Sequence, residues 1–119
     1  MKKKVNLAAK LAAFEEYFSP KIVGELNDHK LELVKVKGEF VWHSHPETDD
    51  FFFVVHGRLT IQLRDRDVEL SAGELFVVPR GVEHCPRADE EAHVLLIEPT
   101  GTVNTVDVVS ELTAQEDHI

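Results

Sequence analysis

The stretch of sequence that decides the fold is GEFVWHSHPETDDFFFVVHG, residues 38–57. Its His43 and His45 are two residues apart, so on a strand their side chains point to the same face. Asp50 follows a short loop and stands at the head of the run Phe-Phe-Phe-Val-Val, which is typical of a buried strand. These residues therefore predict two imidazoles and one carboxylate on neighbouring segments of a β-structure.

A second stretch, GELFVVPRGVEH at residues 73–84, places a third histidine directly after a Pro-x-Gly turn. Three histidines and one carboxylate, brought together, would make a metal site, and the predicted ligands are His43, His45, Asp50 and His84. This donor set suits borderline divalent transition ions, namely Zn, Fe, Ni, Mn and Cu, and ligand identity alone does not choose among them. We therefore expect one divalent transition metal as the cofactor.

From Lys21 onward the sequence predicts only short strands separated by Gly, Pro and Asp turns, a pattern typical of a β-sandwich or barrel. The predicted strands cover residues 21–26, 31–37, 39–45, 51–55, 58–64, 68–70, 75–78, 82–86 and 92–98, with a last one at 101–103. In the second of these the apolar positions change parity between Leu33 and Val34, which predicts a β-bulge there.

One amphipathic helix is predicted before the strands, within residues 1–20. Asn6 is the candidate N-cap, and Ser19-Pro20 ends the helix because the residue before a proline disfavours helical backbone. The barrel is expected to occupy residues 21–104, and the polar, acidic residues 105–119 are expected to form an extended arm or to be disordered. The apolar stripe of the helix needs the barrel wall or a second subunit to lie on, and it consists of Leu7, Leu11, Phe14 and Phe18.

Composition and charge exclude several classes of function. The chain has 119 residues and a net charge of −9, which argues against a nucleic-acid partner because duplex binding depends on Lys and Arg displacing phosphate counterions. No apolar run approaches the roughly 18 residues that span a bilayer, and Lys10, Glu15 and Glu16 interrupt the segment after the lysine-rich start. A lone cysteine, Cys85, excludes an internal disulfide and fits a reducing cytoplasm. We therefore expect a cytoplasmic protein without nucleic-acid or membrane partners.

The histidine segments resemble the two motifs of the cupin superfamily. The first motif is Gly, five residues, His-x-His, three or four residues, Glu, six residues and Gly, and its places are taken here by Gly38, His43-Ser44-His45, Asp50 and Gly57. The second motif is Gly, five residues, Pro-x-Gly, two residues, His, three residues and Asn, and it is matched by Gly73, Pro79-Arg80-Gly81 and His84. The resemblance implies an all-β double-stranded β-helix, or jelly-roll cupin barrel, of the small single-domain kind similar to the mannose-6-phosphate isomerase-like branch.

The sequence departs from these motifs in three places. Gly38 is separated from His43 by four residues instead of five, Asp50 replaces the glutamate, and Ala88 stands where the second motif has asparagine. Aspartate is one methylene shorter than glutamate, so its oxygens reach about 1.3 Å less far from the strand. Three arrangements stay open: a shifted strand with Asp50 as a direct ligand, a water between Asp50 and the metal, or three histidines plus solvent.

Other residues near the motifs are not predicted to be ligands. Glu47 and Asp49 are expected to face solvent in the loop, and His56 precedes a turn glycine. Cys85 and Trp42 each adjoin a ligand histidine, so on a strand they point away from the metal. The side chains that share parity with the ligands, and that are expected to form an apolar pocket wall, are Val41, Phe52, Val54 and Pro86.

A metal with open positions in a barrel can polarise a carbonyl or enolate, activate water or bind O₂. The resemblance implies a metal-dependent enzyme of dioxygenase or isomerase type acting on a small organic molecule; the alternative is a cupin that binds a metal or small molecule without turnover. No general acid or base beyond Asp50 stands out, and Arg64 and Arg80 are the candidate phosphate contacts. Small cupins usually pair, so a homodimer is expected.

Overall fold

The computed structural model describes residues 3–101 and 117–119 and is built from strands with one short helix. The elements are α1 (Leu7–Leu11), β1 (Lys21–Leu26), β2 (His29–Glu39), β3 (Asp50–His56), β4 (Arg58–Leu63), β5 (Asp67–Ser71), β6 (Leu75–Val78), β7 (His84–Pro99) and β8 (Asp117–His118). The predicted all-β barrel with a short N-terminal helix is confirmed, and β1 and β6 have the predicted bounds.

Strand β7 connects the two halves of the barrel. It pairs with β2 over most of its length, with β4 at residues 84–87 and with β3 at residues 93–97. Two separate strands, 82–86 and 92–98, are predicted from the sequence, but the structure has one continuous strand. The polar residues between them lie in a bulge, because Val36 pairs with Ala92 whereas Gly38 pairs with Ala88.

Strand β2 is buried on both faces. The bulge predicted between Leu33 and Val34 is wrong. The pairing of β2 with β7 is unbroken from His29 to Val36. Val34 belongs to the core inside the barrel, whereas Leu33 belongs to a second cluster on the outer face. Apolar residues of both parities are therefore compatible with a regular strand. The neighbouring register shift lies in β1 instead, around Val23.

The helix begins as predicted but ends early. The Asn6 side chain accepts a hydrogen bond from the Ala9 amide at 3.0 Å, which caps α1. The prediction that the helix continues to Phe18 is wrong, because Tyr17 forms a bridge with Lys35 of β2 and the Phe18 amide donates to the Lys35 carbonyl at 2.8 Å. Tertiary pairing with β2 replaces helical hydrogen bonds here.

The N-terminal segment covers the outer face of the chain's own barrel. Leu11 and Phe14 are buried against Val23 and Leu33. The buried Lys35 ammonium donates to the Phe14 carbonyl at 2.6 Å and lies 4.8 Å from the centre of the Phe14 ring. The apolar stripe of the helix is therefore satisfied within the monomer.

The segment expected to form a strand at residues 39–45 is mostly irregular. After Glu39, the last residue of β2, its only ladder contact among the described residues is an isolated bridge between His43 and His84. Gly101 lies in a turn, and the rest of the strand predicted at 101–103 lies outside the described residues, as does most of the acidic tail. The end of that tail is described: β8 runs parallel to β1, and Asp117 pairs with Lys21 at 2.9 Å.

Two glycines with positive φ offer a matched test of backbone packing. Gly57 has φ +84, and an added Cβ would lie 2.9 Å from the Glu91 carbonyl oxygen and 3.1 Å from the Ala92 Cα. Gly73 has φ +88, and its Cβ would meet nothing within 4 Å.

We predict that Gly57→Ala destabilises the protein by about 3 kcal/mol or more, because strain and a backbone clash add, whereas Gly73→Ala costs about 1 kcal/mol from strain alone. Urea unfolding of both variants measures the difference. Equal losses of stability in the two variants would show that a Cβ at position 57 does not clash with the backbone of Glu91 and Ala92.

Candidate metal centre

The four predicted ligands come from three parts of the fold. His43 and His45 lie in the irregular segment after β2, Asp50 is the first residue of β3, and His84 is the first residue of β7. The backbones of His43 and His84 are joined by two hydrogen bonds, His43 amide to His84 carbonyl at 3.0 Å and His84 amide to His43 carbonyl at 2.9 Å. This bridge brings the two separated motifs into contact without a full strand.

The side chains of His43, His45, Asp50 and His84 converge on one point. One potential ligand atom from each lies within 4.8 Å of all the others, and all four residues are buried. Asp50 Oδ2 lies 2.9 Å from His84 Nε2 and 3.2 Å from His45 Nε2. The shorter aspartate therefore reaches the histidines from its place at the start of β3.

Backbone carbonyls orient two of the rings. The Nδ1 atoms of His43 and His84 lie 2.9 Å from the carbonyl oxygens of Val41 and Val82. A carbonyl oxygen only accepts hydrogen bonds, so the proton belongs on Nδ1, and in the neutral ring Nε2 is left with a lone pair. Such partners are typical of histidines that bind metals. The buried Nδ1 of His45 has no hydrogen-bond partner among the described residues.

The contact between His84 and Asp50 requires a positive charge. A neutral His84 that donates from Nδ1 would direct the lone pair of Nε2 at a carboxylate oxygen 2.9 Å away. Either a second proton on the ring or a cation between the two atoms removes this repulsion. The Asp50–His84 and Asp50–His45 distances, 2.9 and 3.2 Å, bring together the donor atoms that would hold such a cation.

Electrostatics favours an ionised Asp50 and a neutral His43. Burial raises the pKa of Asp50, but its contacts with His45 and His84 outweigh burial and lower the pKa to about 2. Burial lowers the pKa of His43 to about 4, against the opposing hydrogen bond to Val41. At neutral pH Asp50 is thus a carboxylate and His43 is neutral.

The other polar residues near the motifs lie away from this cluster. Asp49 is bound by Arg80, whose amide donates to it at 2.9 Å, and Glu47 is exposed. His56 is exposed, with its ring centre 4.9 Å from that of His93. Cys85 is a buried free thiol beside His84.

A cavity opens beside the cluster. It comprises about 490 Å³ of empty space, including the open solvent at its mouth. Of the predicted wall residues, Phe52 and Pro86 line it, whereas Val41 and Val54 do not. The apolar lining is completed by residues that include Phe18, Phe40, Val34, Val36, Leu59 and Leu96.

One buried feature was missed by the sequence analysis. Lys30, Glu32 and Glu98 are buried ionisable residues, and Glu98 lines the same cavity. The alternation of Lys30 and Glu32 with Val34 on one face of β2 is the signal that would have found them. It was hidden because β2 was expected to begin at Leu31 and to change face.

Fold and site together define a cupin barrel with a histidine and carboxylate cluster at one end of its interior. The Cupin domain family matches residues 30–98, more than half of the chain. This chain belongs to the cupin family.

The chain is similar to several known proteins, one of which carries a cupin-2 domain. The Bacillus subtilis (strain 168) protein YdbB is 34% identical over 89 residues, which cover 74% of this chain and 79% of YdbB. The crystal structure of a cupin-2 domain containing protein from Shewanella frigidimarina NCIMB 400 has a TM-score of 0.79 and 47% identity, covering 80% of this chain and 93% of that one. Hydroquinone 1,2-dioxygenase from Sphingomonas sp. TTNP3 has a TM-score of 0.69 at 15% identity, covering 91% of this chain and 75% of that one; this likeness shows the fold alone.

We predict that the metal-free protein loses stability as the pH falls from 6.5 to 4, because unfolded His43 takes up a proton over this range while the folded form does not. The loss from this residue is about 2–3 kcal/mol. Urea unfolding with a chelator at pH 7.5 and 4.5 should show a larger loss for the wild type than for His43→Gln.

The exposed His56 supplies the control for this measurement. His56→Gln should lose as much stability as the wild type between the two pH values. Equal losses in the wild type and in His43→Gln would contradict a neutral, buried His43.

Proposed function

We propose that this cupin holds one divalent transition ion through His43, His45, His84 and Asp50, and that it binds a small organic molecule in the adjoining cavity. The observation that carries the proposal is the contact of the Asp50 carboxylate with two imidazole Nε2 atoms at 2.9 and 3.2 Å, where one ring is oriented by a backbone carbonyl. A bound cation satisfies this arrangement without an extra proton.

When bound, the ion would supply a Lewis acid with positions open to a ligand. The residues that line the cavity determine which molecules can reach the ion. The cavity walls are mostly apolar, and the Phe52 ring packs edge-on against the His84 ring with the ring centres 6.0 Å apart. Metal-dependent oxygenase or isomerase chemistry on a small, largely apolar compound is the activity that this combination supports best. The alternative is a cupin that binds the metal or ligand without turnover.

A phosphorylated substrate is less well supported by the cavity. Arg64 contacts Glu83 and lies over the Trp42 ring, and Arg80 pairs with Asp49. Both arginines are more than half exposed, and neither lines the cavity.

We predict that the wild type, purified without a metal-affinity tag, carries about one transition ion per chain by elemental analysis, and that His84→Ala loses it. Occupancy should fall as the pH is lowered from 8 to 4, because histidine must be neutral to bind and His43 takes up a proton as the pH approaches about 4. Iron would favour oxygenation and zinc would favour hydrolysis or isomerisation.

His56→Ala is the matched control, since it removes an exposed histidine outside the cluster, and it should retain the ion. A wild type that remains metal-free after incubation with each candidate ion, or equal retention by His84→Ala, would refute the proposed centre.

We also propose that the chain forms a homodimer, in the cytoplasm where Cys85 stays reduced. The helix stripe is covered within the monomer, so the dimer surface must lie elsewhere. On the outer face of the sheet Leu75 and Val77 are 55% and 41% exposed, and they pair across β3 with Phe53 and Phe51. An exposed apolar face of this kind, formed in part by the short strand β6, is typical of a protein interface. We take a second copy of the chain as the partner that covers it.

We predict that light scattering of the wild type gives twice the chain mass of 13.5 kDa, and that Val77→Lys gives the monomer mass. Lys4→Glu, which changes an exposed residue at the opposite end of the chain, serves as a charge-change control and should stay dimeric. A wild type at 13.5 kDa would overturn this proposal.

A further inference from the structure

Three ionisable side chains are buried on the inner face of the barrel outside the metal cluster. Lys30 and Glu32 belong to β2 and Glu98 belongs to β7, and their exposed fractions are 2%, 2% and 6%. Lys30 and Glu98 are cross-strand partners, with Nζ and Oε2 3.9 Å apart. Buried charges are costly unless they are paired, so the position of this group within the fold calls for an explanation.

Glu98 is the member of the group that a bound molecule would meet. Phe51 pairs with Ile97, so Asp50 and Glu98 are the next residues on neighbouring strands, with both side chains on the inner face. Among the described residues, Glu98 is the one charged residue that lines the cavity outside the histidine and aspartate cluster. Lys30 and Glu32 lie behind it and do not line the cavity.

The carboxyl of Glu98 can accept a hydrogen bond from a bound molecule. Burial raises the pKa of Glu98 well above its usual range, and the nearby carboxylates of Glu32 and Asp50 raise it further. Lys30 Nζ lies 3.9 Å from Glu98 Oε2. A carboxyl group has acceptor lone pairs in either protonation state, so a ligand hydroxyl has an oxygen to donate to.

We propose that Glu98 accepts a hydrogen bond from a hydroxyl of the bound molecule, with Lys30 and Glu32 holding its side chain in place. The ligand class is then a small compound with an apolar ring or chain and a hydroxyl beside the oxygen that meets the metal. This inference rests on the proposed function. In it, Glu98 is the residue that distinguishes a ligand with the hydroxyl from a ligand without it.

The shape of the cavity agrees with this class of ligand. The rings of Phe18 and Phe40 are stacked with their centres 5.1 Å apart, and Phe52 lies on the side of His84. Among the described residues that line the cavity, the polar side chains are those of the cluster and Glu98. An apolar ligand body therefore has walls to contact, while its oxygens face one side of the cavity. A ligand hydroxyl facing an acceptor in such a site is discriminated strongly from its methyl ether.

The test uses 4-nitrocatechol and its two monomethyl ethers as the bound molecules, with affinities measured by visible absorbance. Methylation removes one hydroxyl and also changes how the ligand meets the metal. The second effect is the same for the wild type and for a Glu98 variant, so the difference in discrimination between the two proteins isolates the contact with Glu98.

Glu98→Met should lose at least about fivefold of the preference for 4-nitrocatechol over one of the ethers, as expected for one lost hydrogen bond. Glu98→Gln should keep the preference, because the amide oxygen can still accept a hydrogen bond from the ligand. Glu90→Gln, at an exposed position, should behave like the wild type. The same preference in Glu98→Met and in the wild type would overturn the proposal, as would no binding of 4-nitrocatechol by the wild type.

Two further measurements keep these outcomes distinct. If Glu98→Met fails to fold, the Lys30→Met/Glu98→Met double variant removes both partners and leaves no lysine facing an absent carboxylate. Elemental analysis of each sample separates loss of metal from loss of the contact. If the wild type holds no metal, the proposed function fails. The preference for 4-nitrocatechol over its ethers, measured in the metal-free protein, then still tests the role of Glu98.

Discussion

The pairing of one long strand, β7, with three others is the constraint on which the rest of the structure depends. β7 shares one edge with β2 and the other with β4 and then β3. Its first residue is His84 and its penultimate residue is Glu98. The same hydrogen-bonded ladder that closes the barrel therefore determines the positions of a candidate metal ligand and of the acid that lines the cavity.

The convergence of the four candidate ligands was predictable from the sequence because it depends on short sequence spacings. Two histidines two residues apart, a carboxylate after a short loop and a histidine after a turn need only one backbone bridge, between His43 and His84, to converge. The distance from the Asp50 carboxylate to the histidine rings was not predictable. It depends on where the loop before β3 places the first residue of that strand. The structure places its Oδ2 within 3.2 Å of two rings.

The errors of sequence interpretation arise where tertiary contacts replace local preferences. The N-terminal helix stops early because residues 17–18 pair with Lys35, a contact that helical periodicity does not encode. A strand that is buried on both faces has apolar residues at both odd and even positions. The sequence pattern of the regular strand β2 therefore looked like that of a strand with a bulge. Buried Lys30 and Glu32 were missed because β2 was expected to begin at Leu31 and to change face, and because charged residues are ordinarily exposed.

The covering of β2 has a consequence for the cooperativity of folding. The family match begins at residue 30, but Leu11 and Phe14 complete the outer cluster around Leu33, and the Phe14 carbonyl holds the buried Lys35 ammonium at 2.6 Å. Without residues 7–18, the chain would expose a leucine-rich strand face and a lysine whose partner is gone. The N-terminal segment and the barrel are therefore one folding unit, and the two should melt in a single transition.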